Sequence, residues 1–131
     1  MVKLELIPGK YTLTSENYAN TAERLMKGYL EKAEGQMLTT SKLRGIYAMV
    51  MNVYTKANSP QEYQACKSDI QYLRVRMAYE AGREPAVRSF LLKTNLMDVL
   101  GKVETYDQFM LYCRYAESLV AYFKFFGGKD Q

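Results

Sequence analysis

From Tyr18 to Phe123 the apolar side chains return every three or four residues, and that period commits nearly the whole chain to amphipathic helices. The cleanest stripe is Phe109, Tyr112, Cys113, Ala116, Leu119, Val120 and Phe123, which predicts a long last helix capped by Thr105 with Gln108 and closed by Gly127-Gly128. The Thr14-Ser15-Glu16 stretch supplies the cap of a first helix carrying Tyr18, Ala22, Leu25, Met26, Tyr29 and Ala33, which Gly35 ends. A second helix starts at Thr39 or Thr40 and turns Leu43, Ile46, Tyr47, Val50, Tyr54 and Ala57 to one face. Asn58-Ser59-Pro60 breaks it and opens a third, with Ser59 as cap, Pro60 at the first helical position and Glu62 reaching back.

Tyr63, Cys66, Ile70, Leu73, Met77 and Ala81 form the apolar stripe of that third helix, and Gly82 stops it. Pro85 begins a shorter fourth helix with Val87, Phe90 and Leu91 inward, and Leu96 to Gly101 adds a further turn or two. Convincing strand alternation is confined to the Pro-Gly-containing arm, residues 1–13. The expected architecture is all-α: a compact bundle of about five helices filling residues 14–131, in one domain because 131 residues bury a single core of ordinary size.

Several function classes are disfavoured by what the chain lacks. It contains no histidine, so the usual general base, proton shuttle and commonest zinc ligand are missing. Asp69, Glu80, Asp98, Asp107 and Glu117 sit among polar neighbours without forming an acid–base pair or a metal cluster, and Gly127-Gly128-Lys129 lacks the upstream glycine and following hydroxyl of a phosphate loop. No catalytic residue, metal, cofactor or small-molecule substrate is therefore expected. Cys66 and Cys113 fall on apolar stripes, where a thiol packs as a small hydrophobe. The longest uncharged apolar stretch, Gly45 to Thr55, is interrupted by Asn52 and too short to cross a bilayer; Glu5 interrupts what would be a signal peptide's apolar region, which predicts a cytoplasmic protein.

The net charge of +4 is unevenly distributed. Residues 1–36 carry five bases and five acids and residues 94–131 four and five, whereas residues 37–93 carry nine bases against four acids, a local excess that suits a polyanion. Lys42, Met49 and Lys56, seven apart, share one side of the second helix, with Arg44 flanking it. Tyr72, Arg76, Tyr79 and Arg83 follow one another at intervals of three or four along one strip of the third helix, with Arg74 nearby. Guanidiniums alternating with rings can hold phosphates while the rings meet sugars or bases; the same strip also suits a solvated face whose tyrosines shield the core edge. For Tyr29, Tyr47, Tyr63 and Tyr112 a core position is expected, while Met49 suits a protein contact.

Three segments carry a resemblance. Gln36 to Tyr47, reading Gln-Met-Leu-Thr-Thr-Ser-Lys-Leu-Arg-Gly-Ile-Tyr, resembles the opening of the second helix in the small subunit of type III-A CRISPR effector (Csm) complexes. Leu73 to Arg83 is similar to that family's central basic helix, and Leu119 to Gly128 to its C-terminal helix end, in the family's order. The resemblance implies a helical subunit of a ribonucleoprotein in antiviral defence, self-associating along the complex beside the other Csm subunits. It implies contact with guide RNA and target RNA as they pair, with cleavage left to other subunits. It also marks Lys42, Arg44, Lys56, Arg74, Arg76 and Arg83 as RNA-facing, with Lys124 and then Lys129 as additions, because basic residues near a helix C-terminus also complement its dipole. Two other readings stand beside it: a protein-interaction module that binds no RNA, and a DNA-binding regulator, for which the second and third helices are longer than a helix-turn-helix normally uses.

Overall fold

The N-terminal arm folds as a hairpin. In the computed structural model, which describes residues 2–130, strands β1 (Lys3–Ile7) and β2 (Tyr11–Thr14) pair antiparallel. Pro8 and Gly9 make the turn: Gly9 takes φ +73° and the Lys10 N–H donates to the Ile7 carbonyl at 3.0 Å, an arrangement that a Pro-Gly pair favours. Alternation along β1 turns Leu4 and Leu6 inward, and Leu13 of β2 joins them in the main core. The expected all-α bundle is thus a mostly helical domain with one small sheet.

Eight helices are present among the described residues, where about five were expected: α1 (Tyr18–Leu30), α2 (Ala33–Met37), α3 (Thr40–Tyr54), α4 (Pro60–Ala65), α5 (Lys67–Arg83), α6 (Pro85–Thr94), α7 (Leu96–Leu100) and α8 (Tyr106–Phe125). The extra elements arise because expected helices are interrupted. Lys32 goes extended (φ −101°, ψ 155°) and separates α1 from α2. Gly35 therefore does not end the first helix; it lies buried inside α2, where a β-carbon would collide with the Tyr29 carbonyl. At Cys66 the backbone leaves helical geometry (φ −98°, ψ 5°), which splits the expected third helix and lets both Tyr63 and Ile70 reach the core. Gly82 likewise stays within α5, and the stop is Glu84, extended because Pro85 follows it.

Most caps read from the sequence form. Thr39 accepts from the Lys42 N–H, Ser59 from the Glu62 N–H at 3.1 Å, and Thr105 with Gln108 closes a reciprocal box. Glu62 reaches back to the Asn58 N–H, one residue beyond the cap itself. At the first helix the cap is Asn17 rather than the residues before it, and its side chain accepts from the Thr14 N–H, tying the hairpin to α1. Gly127, at φ +81°, ends α8: the Gly127 N–H donates to Lys124 and the Gly128 N–H to Phe123, a Schellman closure.

α8 is the centre of the fold. It packs against α1, α3, α4, α7 and β1, and it buries Phe109, Leu111, Tyr112, Cys113, Tyr115, Ala116, Leu119 and Phe123. Full burial of each large apolar side chain contributes about 1.5–3 kcal/mol. The Tyr112 hydroxyl donates to the Leu96 carbonyl and the Tyr115 hydroxyl to the Thr94 carbonyl, both at 2.8 Å. These carbonyls flank Asn95, whose left-handed φ of 57° turns α6 into α7. α5, by contrast, lies outside this arrangement on α3, α6 and α7, and buries only Ile70, Leu73 and Met77.

Candidate nucleic-acid interface

The shallow seating of α5 leaves most of its circumference in solvent. Tyr72 and Tyr79 are 60% and 63% exposed, although both are large aromatic rings. Each lies beneath the guanidinium one helical turn on: Arg76 over Tyr72 and Arg83 over Tyr79, both 5.9 Å from the ring centroid. The i, i+4 spacing makes both pairs, because side chains four apart stand on one face. The seven residue steps from Arg76 to Arg83 span about 10 Å of helix, so two cation-and-ring units follow one another along a single exposed strip.

Beside this strip runs a groove between α3 and α5, about 330 Å³ in volume, which Val87 of α6 also lines. Lys42, Gly45 and Met49 line its α3 side and Arg76, Glu80 and Arg83 its α5 side. Beyond Met49 and Arg76 a smaller pocket reaches Asn52, Asp69 and Tyr72. Two ion pairs sit in the main groove: Lys42 Nζ to Glu84 Oε2 at 3.1 Å, and Arg83 Nη2 to Glu80 Oε2 at 3.3 Å. Among the described residues Arg76 has no such carboxylate partner.

The basic residues singled out in the sequence therefore do not form one patch. Lys42, Arg76 and Arg83 come together at the groove. Arg74 points the other way, its guanidinium against Gly101, where a β-carbon would sit 3.2 Å from Nη2. Lys56 lies exposed just beyond α3. Arg44 lies near enough to the C-terminal tail for its charge to act on Asp130; in that tail Lys124 pairs with Asp130, and Thr40 donates through both its N–H and its hydroxyl to the Lys129 carbonyl. The hydrogen bond and charge of Lys124 hold the Asp130 carboxyl below the usual carboxylate range, with smaller contributions from Thr40 and Arg44. Sequence reasoning missed the carboxylates Glu80 and Glu84 as neighbours of the basic cluster; the three-residue spacing of Glu80 and Arg83 was the available signal.

The remaining candidates are interior. Tyr29, Tyr63 and Tyr112 are buried as expected, and Tyr115 joins them, while Tyr47 is half-buried in a second groove of about 510 Å³ between α3 and α8 that also holds Met51, Tyr54, Tyr106 and Met110. Both cysteines are free and buried, and burial pushes the Cys113 thiol up to about 12. Among the described residues no helix is long and apolar enough to cross a membrane.

Known proteins with related sequences bear on this arrangement. Residues 14–129 match the family model described as Csm2 Type III-A. The CRISPR system Cms protein Csm2 of Streptococcus thermophilus is 37% identical over 119 residues, which cover 90% of this chain and 98% of the relative. The protein of the same name from Enterococcus italicus is 45% identical over 95 residues, 68% of each chain, and that of Mycobacterium tuberculosis 33% identical over 124 residues, 92% of this chain and 99% of the relative. The match runs from the end of the hairpin through all eight helices, the α5 strip and the tail that folds back on α3, and on that span the chain belongs to the Csm2 family of type III-A CRISPR small subunits.

Proposed function

We propose that this protein is a non-catalytic, RNA-binding small subunit of a type III-A CRISPR effector complex. It contacts the backbone of the guide RNA paired with target RNA and helps monitor their complementarity in antiviral defence, in the cytoplasm. Its further partners are the other Csm subunits and neighbouring copies of itself. The observation that carries this reading is the solvent-facing Tyr72, Arg76, Tyr79, Arg83 strip beside Lys42, because exposed rings under guanidiniums have little to do for the fold and much to offer a phosphate-and-base polymer. Arg76 and Arg83 take phosphates; Lys42 approaches from the opposite wall. Arg74, Lys56, Arg44 and Lys124 form separate contacts on other faces, of which Lys124 must first leave Asp130.

Contacts of this kind read backbone shape, so binding should weaken with salt and ignore sequence. Fluorescence anisotropy of a labelled guide–target duplex, titrated at several salt concentrations, tests this. Replacing Arg76 and Arg83 together with alanine should weaken binding and flatten the salt slope by roughly 1.8, the value for two phosphate contacts on a duplex. An unchanged slope in the folded variant removes both from the site.

A second reading is favoured by the apolar side chains left in solvent, Val75 at 61%, Leu92 at 54% and Phe125 at 75% exposure. In it the chain is a helical protein-interaction module, and assembly proceeds with no measurable RNA affinity of its own. Absence of binding even at low salt selects this second reading.

A further inference from the structure

The groove beside the strip is not simply basic. Its three cations, Lys42, Arg76 and Arg83, face two carboxylates, Glu80 and Glu84, which leaves a single net positive charge where the sequence placed a cluster. The carboxylates are also specifically placed. Glu84 Oε2 lies 3.1 Å from Lys42 across the groove and Glu80 Oε2 lies 3.3 Å from Arg83 along α5, so each oxygen occupies the position that a phosphate oxygen would take on the same cation.

We infer that Glu80 and Glu84 are internal competitors for phosphate, which hold the RNA affinity of this face down and make Arg76 its leading contact. The inference rests on the RNA-binding reading above. A phosphate arriving at Lys42 or Arg83 exchanges one charge-assisted contact for another and leaves a carboxylate behind, close to the incoming anion. Arg76 lies over the Tyr72 ring and, among the described residues, has no carboxylate within ion-pair distance, so a phosphate reaching it displaces nothing anionic. RNA that offers one phosphate is therefore held weakly. A backbone that presents several phosphates to the groove at once displaces both carboxylates together, and this favours continuous duplex over isolated strand ends.

Neither ion pair is a requirement of the fold, since all four side chains keep 24% or more of their surface in water. The test uses the full-length protein carrying Glu80→Gln, Glu84→Gln or both, the labelled RNA duplex, and Glu16→Gln as an equal change of charge in the loop before α1. Each groove replacement should tighten binding roughly two- to fivefold at about 0.1 M salt, the scale of a surface ion pair. The pair together should steepen the salt slope by up to about 1.8. Glu16→Gln should do neither, and all variants should melt with the wild type.

Groove variants that bind as the wild type does, or that tighten no more than Glu16→Gln, overturn the inference while wild-type binding keeps the RNA reading intact. A lowered melting temperature with unchanged affinity also overturns it and makes the carboxylates structural. If neither wild type nor variant binds RNA at any salt, the RNA reading itself fails and takes the inference with it.

Discussion

Tyrosine serves opposite ends on α8 and α5, and the contrast separates what holds this molecule together from what it presents. On α8 the rings of Tyr112 and Tyr115 are wholly enclosed and their hydroxyls end on backbone carbonyls either side of Asn95. On α5 the rings of Tyr72 and Tyr79 stand in water, and a guanidinium lies over each. An enclosed phenol needs a partner, since an unpaired hydroxyl inside costs about 1–3 kcal/mol. An exposed phenol needs none, so its ring is free for another molecule.

The sharpest way to break this comparison is truncation on each helix. Phe109→Ala, which empties a fully buried ring position against Tyr63 and Tyr112, should cost about 3–5 kcal/mol in urea unfolding, whereas Val75→Ala on α5 should stay within about 0.5 kcal/mol. A large loss at Val75 would show that α5 is held more deeply than its burial implies.

Tyr115→Phe comes next. It keeps the ring and strands the Thr94 carbonyl, for an expected loss of about 1–2 kcal/mol at neutral pH. Its alkaline signature has the opposite sign. Burial keeps the Tyr112 and Tyr115 phenols protonated well above their ordinary value of 10.0 and raises Cys113 from 9.0 to about 12. The unfolded chain releases these protons first, so the stability they support is complete below pH 9 and is lost as the pH climbs from 9 towards 12. Urea midpoints measured from pH 7 to 11 should fall less steeply for Tyr115→Phe than for wild type; identical slopes would mean that the phenol is accessible after all.

A comparably small effect on stability, within about 0.5 kcal/mol for each ring, is expected from Tyr72→Ala with Tyr79→Ala. The same double variant should weaken RNA binding at least about fivefold if the rings meet bases, as anisotropy would show. Unaltered affinity would reduce the strip to its two arginines.

Much of this was legible from spacing and local chemistry. The caps at Thr39, Ser59 and Thr105 and the Gly127 closure depend on residues within a few positions of each other, and they form nearly as read. The Tyr72 to Arg83 strip follows from helical periodicity alone. The breaks at Lys32 and Cys66 carry no glycine or proline to announce them, and Gly35 was misread because its need for no side chain comes from the carbonyl of Tyr29 in the preceding helix. Lys42 and Arg44 look equivalent in sequence but diverge in space, one meeting Glu84 some forty residues on, the other a tail that returns from the far end of the chain. Pairings over such distances depend on packing that no local pattern encodes.

The shallow seating of α5 also bears on how this face could change over time or be redesigned. With three of its 17 residues buried, nearly every other position can be rewritten without disturbing the core, while the α6–α7 junction beneath it stays indexed to α8 by two hydroxyls. The binding role proposed for this helix is thereby uncoupled from foldedness, so a library of substitutions on it would sample new surfaces on a scaffold of nearly constant stability.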